Sequence, residues 1–374
     1  MSIRPLERFA ALEASRQEVT FASVQPPETI LDLTPAEATA KVTAWVETQG
    51  IPRYRAAQIL RRLWVAPIGA WSEALELPTT LRTRLDEEMP LPRLRAEVVQ
   101  ESADGTRKFL WELGDGERVE SVLIPSGARR TLCVSSQAGC ALGCVFCATG
   151  QMGFGRNLAG WEIAGQLREI VLTNPADKPT NVVFMGMGEP LLNWPAVDRA
   201  LTIFNDPTGF GIGARHITVS TVGIVPGMQA LARRPEQFRL AISLHSPHAA
   251  QRQGLMPIEK KYPLSEVIEA ARTFQRRITF EYVLIADRND RESDAVALAA
   301  LARRLGAHVN LLPLHPGGAP GLAPTSPAKI AAFRDALQVR GIEAVVRRSR
   351  GLDIDAACGQ LRVAVERRRR APAR

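Results

Sequence analysis

The chain has 374 residues, 45% of them hydrophobic and 23% charged, and carries a formal net charge of +8. That composition belongs to a globular protein with enough apolar mass for a large core and about two domains, and its basic balance favours a polyanionic partner. No run approaches the ~18 apolar residues of a membrane span, and residues 1–9 lack the apolar stretch of a signal peptide, so a cytoplasmic, membrane-free protein is expected. Five cysteines, Cys133, Cys140, Cys144, Cys147 and Cys358, are odd in number and mostly clustered. In a reducing compartment such a cluster points to metal binding or catalysis and not to a disulfide framework.

Residues 1–30 read as a loose lead-in. Thr34-Pro35-Ala36-Glu37 is a capping box with proline at the first helical position, so a helix should run to about Gln49 and bury Val42, Trp45 and Val46. A second helix is expected near 53–64, with Ile59, Leu60 and Leu63 on one side. Arg53, Arg55, Arg61 and Arg62 flank it, either as a solvated face or as phosphate contacts. Residues 31–92 thus form a small N-terminal helical domain. A β extension follows over 93–129, with strands at 95–101, 107–113 and 118–124; Asp104-Gly105 is a hairpin turn between the first two.

From 130 to 350 strands alternate with helices. Strands are expected at 131–135, 181–187, 216–222, 239–245, 278–285, 308–314 and 342–348, with helices such as 161–172 and 294–305 between them. This is an α/β pattern: a parallel sheet, helices outside, and a partial (β/α) barrel whose strand ends form the site. Residues 351–374 form a C-terminal segment with Cys358 and the arginine run 367–370, an RNA-contacting or simply solvated tail.

Cys140-Ala-Leu-Gly-Cys144-Val-Phe-Cys147 has the spacing C-x3-C-x2-C. Three thiolates on one loop can hold three irons of a [4Fe–4S] cluster and leave the fourth iron for a chelating small molecule, whereas an electron-transfer cluster normally takes a fourth cysteine. The rival is structural zinc completed by Cys133 or a distant histidine.

These motifs resemble the radical S-adenosylmethionine (SAM) enzymes. The segments Ser135-Ser136-Gln137-Ala138-Gly139-Cys140, Gly186-Met187-Gly188-Glu189-Pro190, Ser243-Leu244-His245 and 353–361 (Asp-Ile-Asp-Ala-Ala-Cys-Gly-Gln-Leu) are together similar to the RlmN/Cfr family of RNA adenine methyltransferases. The resemblance implies two SAM molecules per turnover and one [4Fe–4S] cluster held by Cys140, Cys144 and Cys147. It implies methylation of adenine carbon 2 in 23S rRNA, at the peptidyl-transferase centre, and in tRNA, 3′ of the anticodon. Cfr-like methylation at carbon 8 is the alternative within the family. Cys358 would carry the methyl group, a 5′-deoxyadenosyl radical would activate it, Cys133 would resolve the protein–RNA link through a transient disulfide, and Glu120 would accept the proton. SAM contacts would fall at Gly188, Glu189, Ser220, Ser243, Leu244 and His245. The family's last contact is an asparagine two residues after a proline; here Pro313-Leu314 is followed by His315. An external electron donor such as flavodoxin and a monomeric state are also implied. Outside the family, a radical SAM enzyme on a non-RNA substrate and a non-catalytic RNA-binding protein with a structural metal remain as alternatives.

Overall fold

The computed structural model describes residues 29–315, 321–347, 350–354 and 356. Cys358 and the arginine run at 367–370 lie outside them. The N-terminal helices are α1 (Pro35–Thr48), α2 (Tyr54–Arg61) and α3 (Thr79–Glu88). The expected capping box closes α1: the Thr34 hydroxyl accepts from the Glu37 N–H at 3.3 Å, and the Glu37 carboxylate accepts from the Thr34 N–H at 2.8 Å. Val42 and Val46 are buried as expected, while Trp45 is half-buried and donates its indole N–H to Glu88.

β1 (Arg95–Glu101), β2 (Arg107–Glu112) and β3 (Arg118–Ser126) form an antiparallel meander. β3 then pairs with β4 (Arg129–Cys133), so the extension continues into the main sheet. After it come β5 (Gln137–Cys140), α4 (Ala148–Met152), β6 (Gly153–Asn157), α5 (Gly160–Thr173), β7 (Asn181–Phe184), α6 (Trp194–Asn205), β8 (Ile217–Thr221), α7 (Val225–Ala232) and β9 (Arg239–Ser243). The chain then adds α8 (Ala249–Leu255), α9 (Leu264–Arg272), β10 (Ile278–Leu284), α10 (Glu292–Leu305), β11 (His308–Pro313), α11 (Pro327–Gln338) and β12 (Ala344–Val346). Ten strands form one sheet in the order β1-β2-β3-β4-β7-β8-β9-β10-β11-β12; β5 and β6 form a separate pair. In the ten-stranded sheet every pairing from β4 to β12 is parallel, as βαβ connections demand.

Side chains alternate across this sheet. One face carries fully buried apolar residues such as Leu132, Phe184, Val219, Leu240 and Phe280. Phe184 meets Phe204 of α6 and Tyr282 meets Phe333 of α11, so this face lies under the helices; truncating Phe184 would cost ~3–5 kcal/mol. Register links the residues of the opposite face: Cys133 pairs with Val183, Val183 with Thr218, Ser220 with Ala241, Ser243 with Glu281, and Glu281 with Asn310. That face is the polar interior of the partial barrel.

The N-terminal helices pack against the same core. The guanidinium of Arg168, on α5, is fully buried and donates to the carbonyls of Leu63 at 3.2 Å and Ile68 at 2.5 Å. The arginine face of α2 is partly spent within the domain. Glu76 grips Arg62 with two bonds of 2.7 and 2.8 Å, and the Glu76 carbonyl accepts from Arg55. Arg53 pairs with Glu47 at the surface, and Arg61 is exposed.

The expected strands ran too long at the site end. The ladders stop at Cys133, Phe184, Thr221, Ser243, Leu284 and Pro313, one to three residues before the expected bounds. Leu244 and His245, two of the candidate site residues, are among those that peel away, whereas Cys133, Ser220 and Ser243 stay in the ladders.

Candidate cluster and cofactor site

The cysteine loop is built on the β5–β6 pair, where Gly139 opposes Phe154 and Cys140 opposes Gly153. Gly139 has φ +78°, and a Cβ there would sit 2.1 Å from the Gly153 carbonyl oxygen. Only glycine lets these backbones approach. Beyond Cys140 the loop is tied at two points: the Val145 N–H donates to the Leu255 carbonyl of α8, and the Cys147 N–H to the Cys144 carbonyl. Burial pushes the Cys140 thiol up to about 12 and Cys144 well above its ordinary value, and the neighbouring thiol charges add to both effects. Burial also raises Cys147, against the N–H groups of Gly150 and Thr149 at its sulfur.

Three thiols in a buried loop need a cation beside them to ionise. Among the described residues no three His, Cys, Asp or Glu side chains gather tightly enough for a single metal ion. A cluster makes a different demand, because each thiolate takes its own iron. The donor set therefore fits a cluster better than the tetrahedral sphere of structural zinc.

Beside this loop lies the turn 186–189. The Ser135 hydroxyl donates to the Glu120 carbonyl at 2.5 Å and accepts from the Met187 N–H at 2.8 Å. It thereby ties β3, the end of β4 and the turn together. Gly188 has φ +95°, and a Cβ there would lie 2.5 Å from Cβ of Gln137. The Gln137 side-chain oxygen accepts from the Glu189 N–H. Glu189 is buried, and its carboxylate accepts from the N–H groups of Leu191 at 3.0 Å and Val222 at 2.9 Å. Burial nevertheless raises its pKa to about 7. Each oxygen is thus already engaged with backbone, and the Thr221 side chain bonds the carboxylate as well.

The other candidates line the barrel interior. Glu120 shares a face with Val122, which opposes Cys133, so the two candidate groups are diagonal neighbours. Burial pushes the Cys133 thiol up to about 12, and the Glu120 charge adds to it. The hydroxyls of Ser220 and Ser243 lie 3.5 Å apart. Leu244 is buried and donates its N–H to the Glu281 carbonyl. His245 has φ +55°, and its Nδ1 accepts from the Val283 N–H at 3.0 Å, leaving Nε2 to carry the hydrogen of a neutral ring. Burial, helped by the Arg252 charge, lowers its pKa to about 3. The His245 ring meets Phe146, of the cysteine loop, edge-on at 4.5 Å; the cysteine loop and the segment that follows β9 therefore touch. His315 follows the end of β11 by two residues.

Sequence reasoning missed three interior groups. Glu281 is buried on β10 and accepts from the Asn310 amide at 2.8 Å; burial raises its pKa. Its signal was a carboxylate in the otherwise apolar run Phe280, Tyr282, Val283, Leu284, since lone carboxylates are seldom buried. Lys108 is fully buried and opposes Val122 across β2 and β3; an Arg-Lys pair at a strand start gave no hint of that. Arg252, fully buried on α8, pairs with Glu259 and donates to the Val222 carbonyl.

The parallel sheet, the three-cysteine loop and the turn beside it define a radical SAM protein, and the Radical SAM superfamily profile matches residues 134–300. A probable dual-specificity RNA methyltransferase RlmN from Gemmatimonas aurantiaca is 56% identical over 333 residues, covering 89% of this chain and 92% of the relative. The dual-specificity RNA methyltransferase RlmN of Anaeromyxobacter dehalogenans is 44% identical, over 82% of this chain and 86% of its own. A crystal structure of a radical SAM methyltransferase from Sphaerobacter thermophilus superposes with a TM-score of 0.83 at 43% identity, covering 89% of this chain and 99% of that one. The chain belongs to the RlmN family of SAM-dependent methyltransferases.

Proposed function

We propose that the chain methylates carbon 2 of adenine in 23S rRNA, at the peptidyl-transferase centre, and in tRNA, 3′ of the anticodon. The observation that carries this reading is the meeting of Glu120 and Cys133 on the same barrel face as Ser220 and Ser243. Carbon 2 is electron-poor and does not attack a sulfonium methyl, so a cofactor must supply radical chemistry. One [4Fe–4S] cluster, held by Cys140, Cys144 and Cys147, and two SAM molecules per turnover would supply it through a 5′-deoxyadenosyl radical.

The chain's own residues do the rest. The backbone of Gly188 and Glu189 and the side chains of Ser220, Ser243 and His245 hold SAM, with Leu244 as an apolar wall and His315 at the rim. Cys358 takes the first methyl group; the sulfonium C–S bond breaks as the thioether C–S bond forms, and the thiol proton leaves to solvent. The activated methylene on Cys358 bonds to carbon 2, the cluster would take up the adduct's surplus electron, and Glu120 accepts the proton of carbon 2. Its charge opposes ionisation of Cys133 beforehand, and that opposition ends once it is protonated. Cys133 then attacks the Cys358 sulfur: the S–S bond forms as the bond from that sulfur to the adenine-bound methylene breaks, the carbon keeps the electron pair and takes a proton to become the methyl group, and an external thiol reductant reopens the disulfide. The reaction takes place in the cytoplasm, on a monomer, with electrons from a flavodoxin-like donor. No described helix is long and apolar enough to cross a membrane.

The test is Cys133→Ala with substrate RNA under reducing anaerobic conditions. A protein–RNA band that survives denaturation, disappears with nuclease and maps to Cys358 is expected. Normal turnover, or a crosslink elsewhere, refutes the mechanism; a methyl group mapped to carbon 8 refutes the position.

A further inference from the structure

The cysteine loop is tied to α8, and α8 carries a fully buried arginine. The Val145 N–H, next in sequence to Cys144, donates to the Leu255 carbonyl at 3.0 Å. Arg252 lies three residues before Leu255 on the same helix face, with none of its surface exposed. Two of its three nitrogens are committed. Nη1 pairs with the Glu259 carboxylate, and Nη2 donates to the Val222 carbonyl at 2.5 Å. Nε is buried without an acceptor among the described residues. Val222 in turn gives its N–H to Glu189 at 2.9 Å. The guanidinium therefore lies where α8, the segment after β8 and the partner of the Glu189 turn come together. Glu259 turns its other oxygen to the start of α9, accepting from the Leu264 N–H at 2.8 Å. The positive end of the pair is thus the one bonded into the site.

The electrostatics follow this geometry. Burial raises the Cys144 thiol most, the charges of Cys147, Cys140 and Glu189 add to it, and the Arg252 charge opposes them. Burial lowers the pKa of Arg252 itself, while Glu259 and Cys144 pull it back up. Behind burial, the same charge lowers His245, whose ring meets Phe146 of the loop. A buried ion pair adds little stability over a packed apolar pair, so its place beside the thiols is the informative fact. A cluster on Cys140, Cys144 and Cys147 would draw negative charge from its thiolates and gain more when an electron enters. Net charge and hydrogen bonds to the sulfurs set the potentials of such clusters, and a fixed charge counts for more in a dry site than in water.

We propose that Arg252 tunes the reduction potential of the cluster: its buried charge, held by Glu259 and the Val222 carbonyl, makes entry of the electron easier. The inference rests on the reading of the cysteine loop as a [4Fe–4S] site. The external donor is oxidised by one electron, the cluster is reduced by one, and no bond to Arg252 forms or breaks. Arg252 is a positioning residue that acts by its charge.

Glu259→Gln and the double variant Arg252→Gln/Glu259→Gln test the sign, and neither leaves a lone buried carboxylate. Each holoenzyme is reconstituted anaerobically, its iron and sulfide are counted, and the cluster is titrated with dithionite at one pH under electron paramagnetic resonance. Glu259→Gln should make the cluster easier to reduce and the double variant harder. Each shift should be about tenfold in the reduction equilibrium, or about 59 mV for one electron. Arg252→Lys, which keeps the charge, should stay nearer wild type than the double variant. A structural role alone would lower the melting temperature or the iron content and leave the potential of assembled clusters unchanged. Unchanged potentials, or shifts of the same sign, overturn the role of Arg252 while leaving the cluster in place. Where the double variant holds no cluster, the direction of the Glu259→Gln shift decides. A wild-type protein that takes up no [4Fe–4S] cluster overturns the reading of the loop, and the tuning with it.

Discussion

Alanine in place of Gly139 should empty the cluster loop, and alanine in place of Gly143, four residues on, should not. Both glycines have positive φ, +78° and +65°, so each substitution bears ~1–3 kcal/mol of backbone strain. What separates them is space. A Cβ at position 139 would stand 2.1 Å from the Gly153 oxygen and 3.1 Å from its carbon, whereas at position 143 nothing lies within 4 Å. To admit it, the β5 and β6 backbones must part by roughly an ångström or more. They are a lone two-stranded pair with no third strand to absorb the shift, and isolated pairs are marginal. Cys140 ends β5 and opposes Gly153, so its sulfur moves with the strand while Cys144 and Cys147 stay anchored by α8 and the loop. Anaerobic reconstitution followed by iron and sulfide analysis is the assay. Gly139→Ala should retain less than half the wild-type iron and Gly143→Ala nearly all of it. Equal iron in the two variants would refute the argument that the β5–β6 approach sets the cluster geometry.

Cys140→Ala, Cys144→Ala and Cys147→Ala should each lose the cluster and reductive SAM cleavage, scored by iron content and 5′-deoxyadenosine release; a variant that keeps four irons and cleaves SAM contradicts the ligand set. Glu189 gives a pH signature. Its folded pKa of about 7 lies above the ordinary value of 4.5, so the folded state holds a proton that the unfolded state has lost. Stability should therefore fall as pH rises from about 4.5 to 7 and level off above, by about 3 kcal/mol in all. Urea titrations of anaerobically purified protein at pH 5 and pH 8 should show this difference shrinking in Glu189→Gln; identical differences would contradict it. On α2, neutralising Arg53 and Arg61 together should lower the salt slope of RNA binding by about one for each phosphate no longer neutralised. Arg62→Gln, with its guanidinium bound to Glu76, should instead cost ~1 kcal/mol of stability and leave the slope alone; a slope untouched by the Arg53 and Arg61 changes removes this face from the RNA interface.

Legibility in the sequence followed the distance over which each feature is specified. The three cysteines lie within eight residues, so their chemistry was readable before any fold was known. The strand–helix alternation was equally plain, because each strand carries its own apolar run. The errors fell where local signals end: apolar residues such as Met187 and Val222 look like strand yet leave the ladder, since the Met187 turn is set by Ser135 and Gln137 and Val222 is held by the Glu189 carboxylate, all from separate segments. The arginines of α2 were ambiguous for the same reason, as the carboxylate that claims Arg62 lies fourteen residues away.

The relation between Glu120 and Cys133 shows why resemblance could name residues that physics alone could not group. In sequence they are thirteen apart on different strands, and nothing in either strand says which faces meet. Antiparallel register decides it: with Val122 opposite Cys133, Glu120 falls on the cysteine's face, and a one-residue slip would send it to the other. The Ser135 hydroxyl, bonded to the Glu120 carbonyl, helps hold that register at the site end. The same argument places Glu281 inside the barrel, because Ser243 and Asn310 flank it in register. A buried carboxylate that accepts one amide hydrogen bond beside the serine pair is thus fixed by sheet geometry, and its place in the barrel interior follows from the same kind of register that put Cys133 next to Glu120.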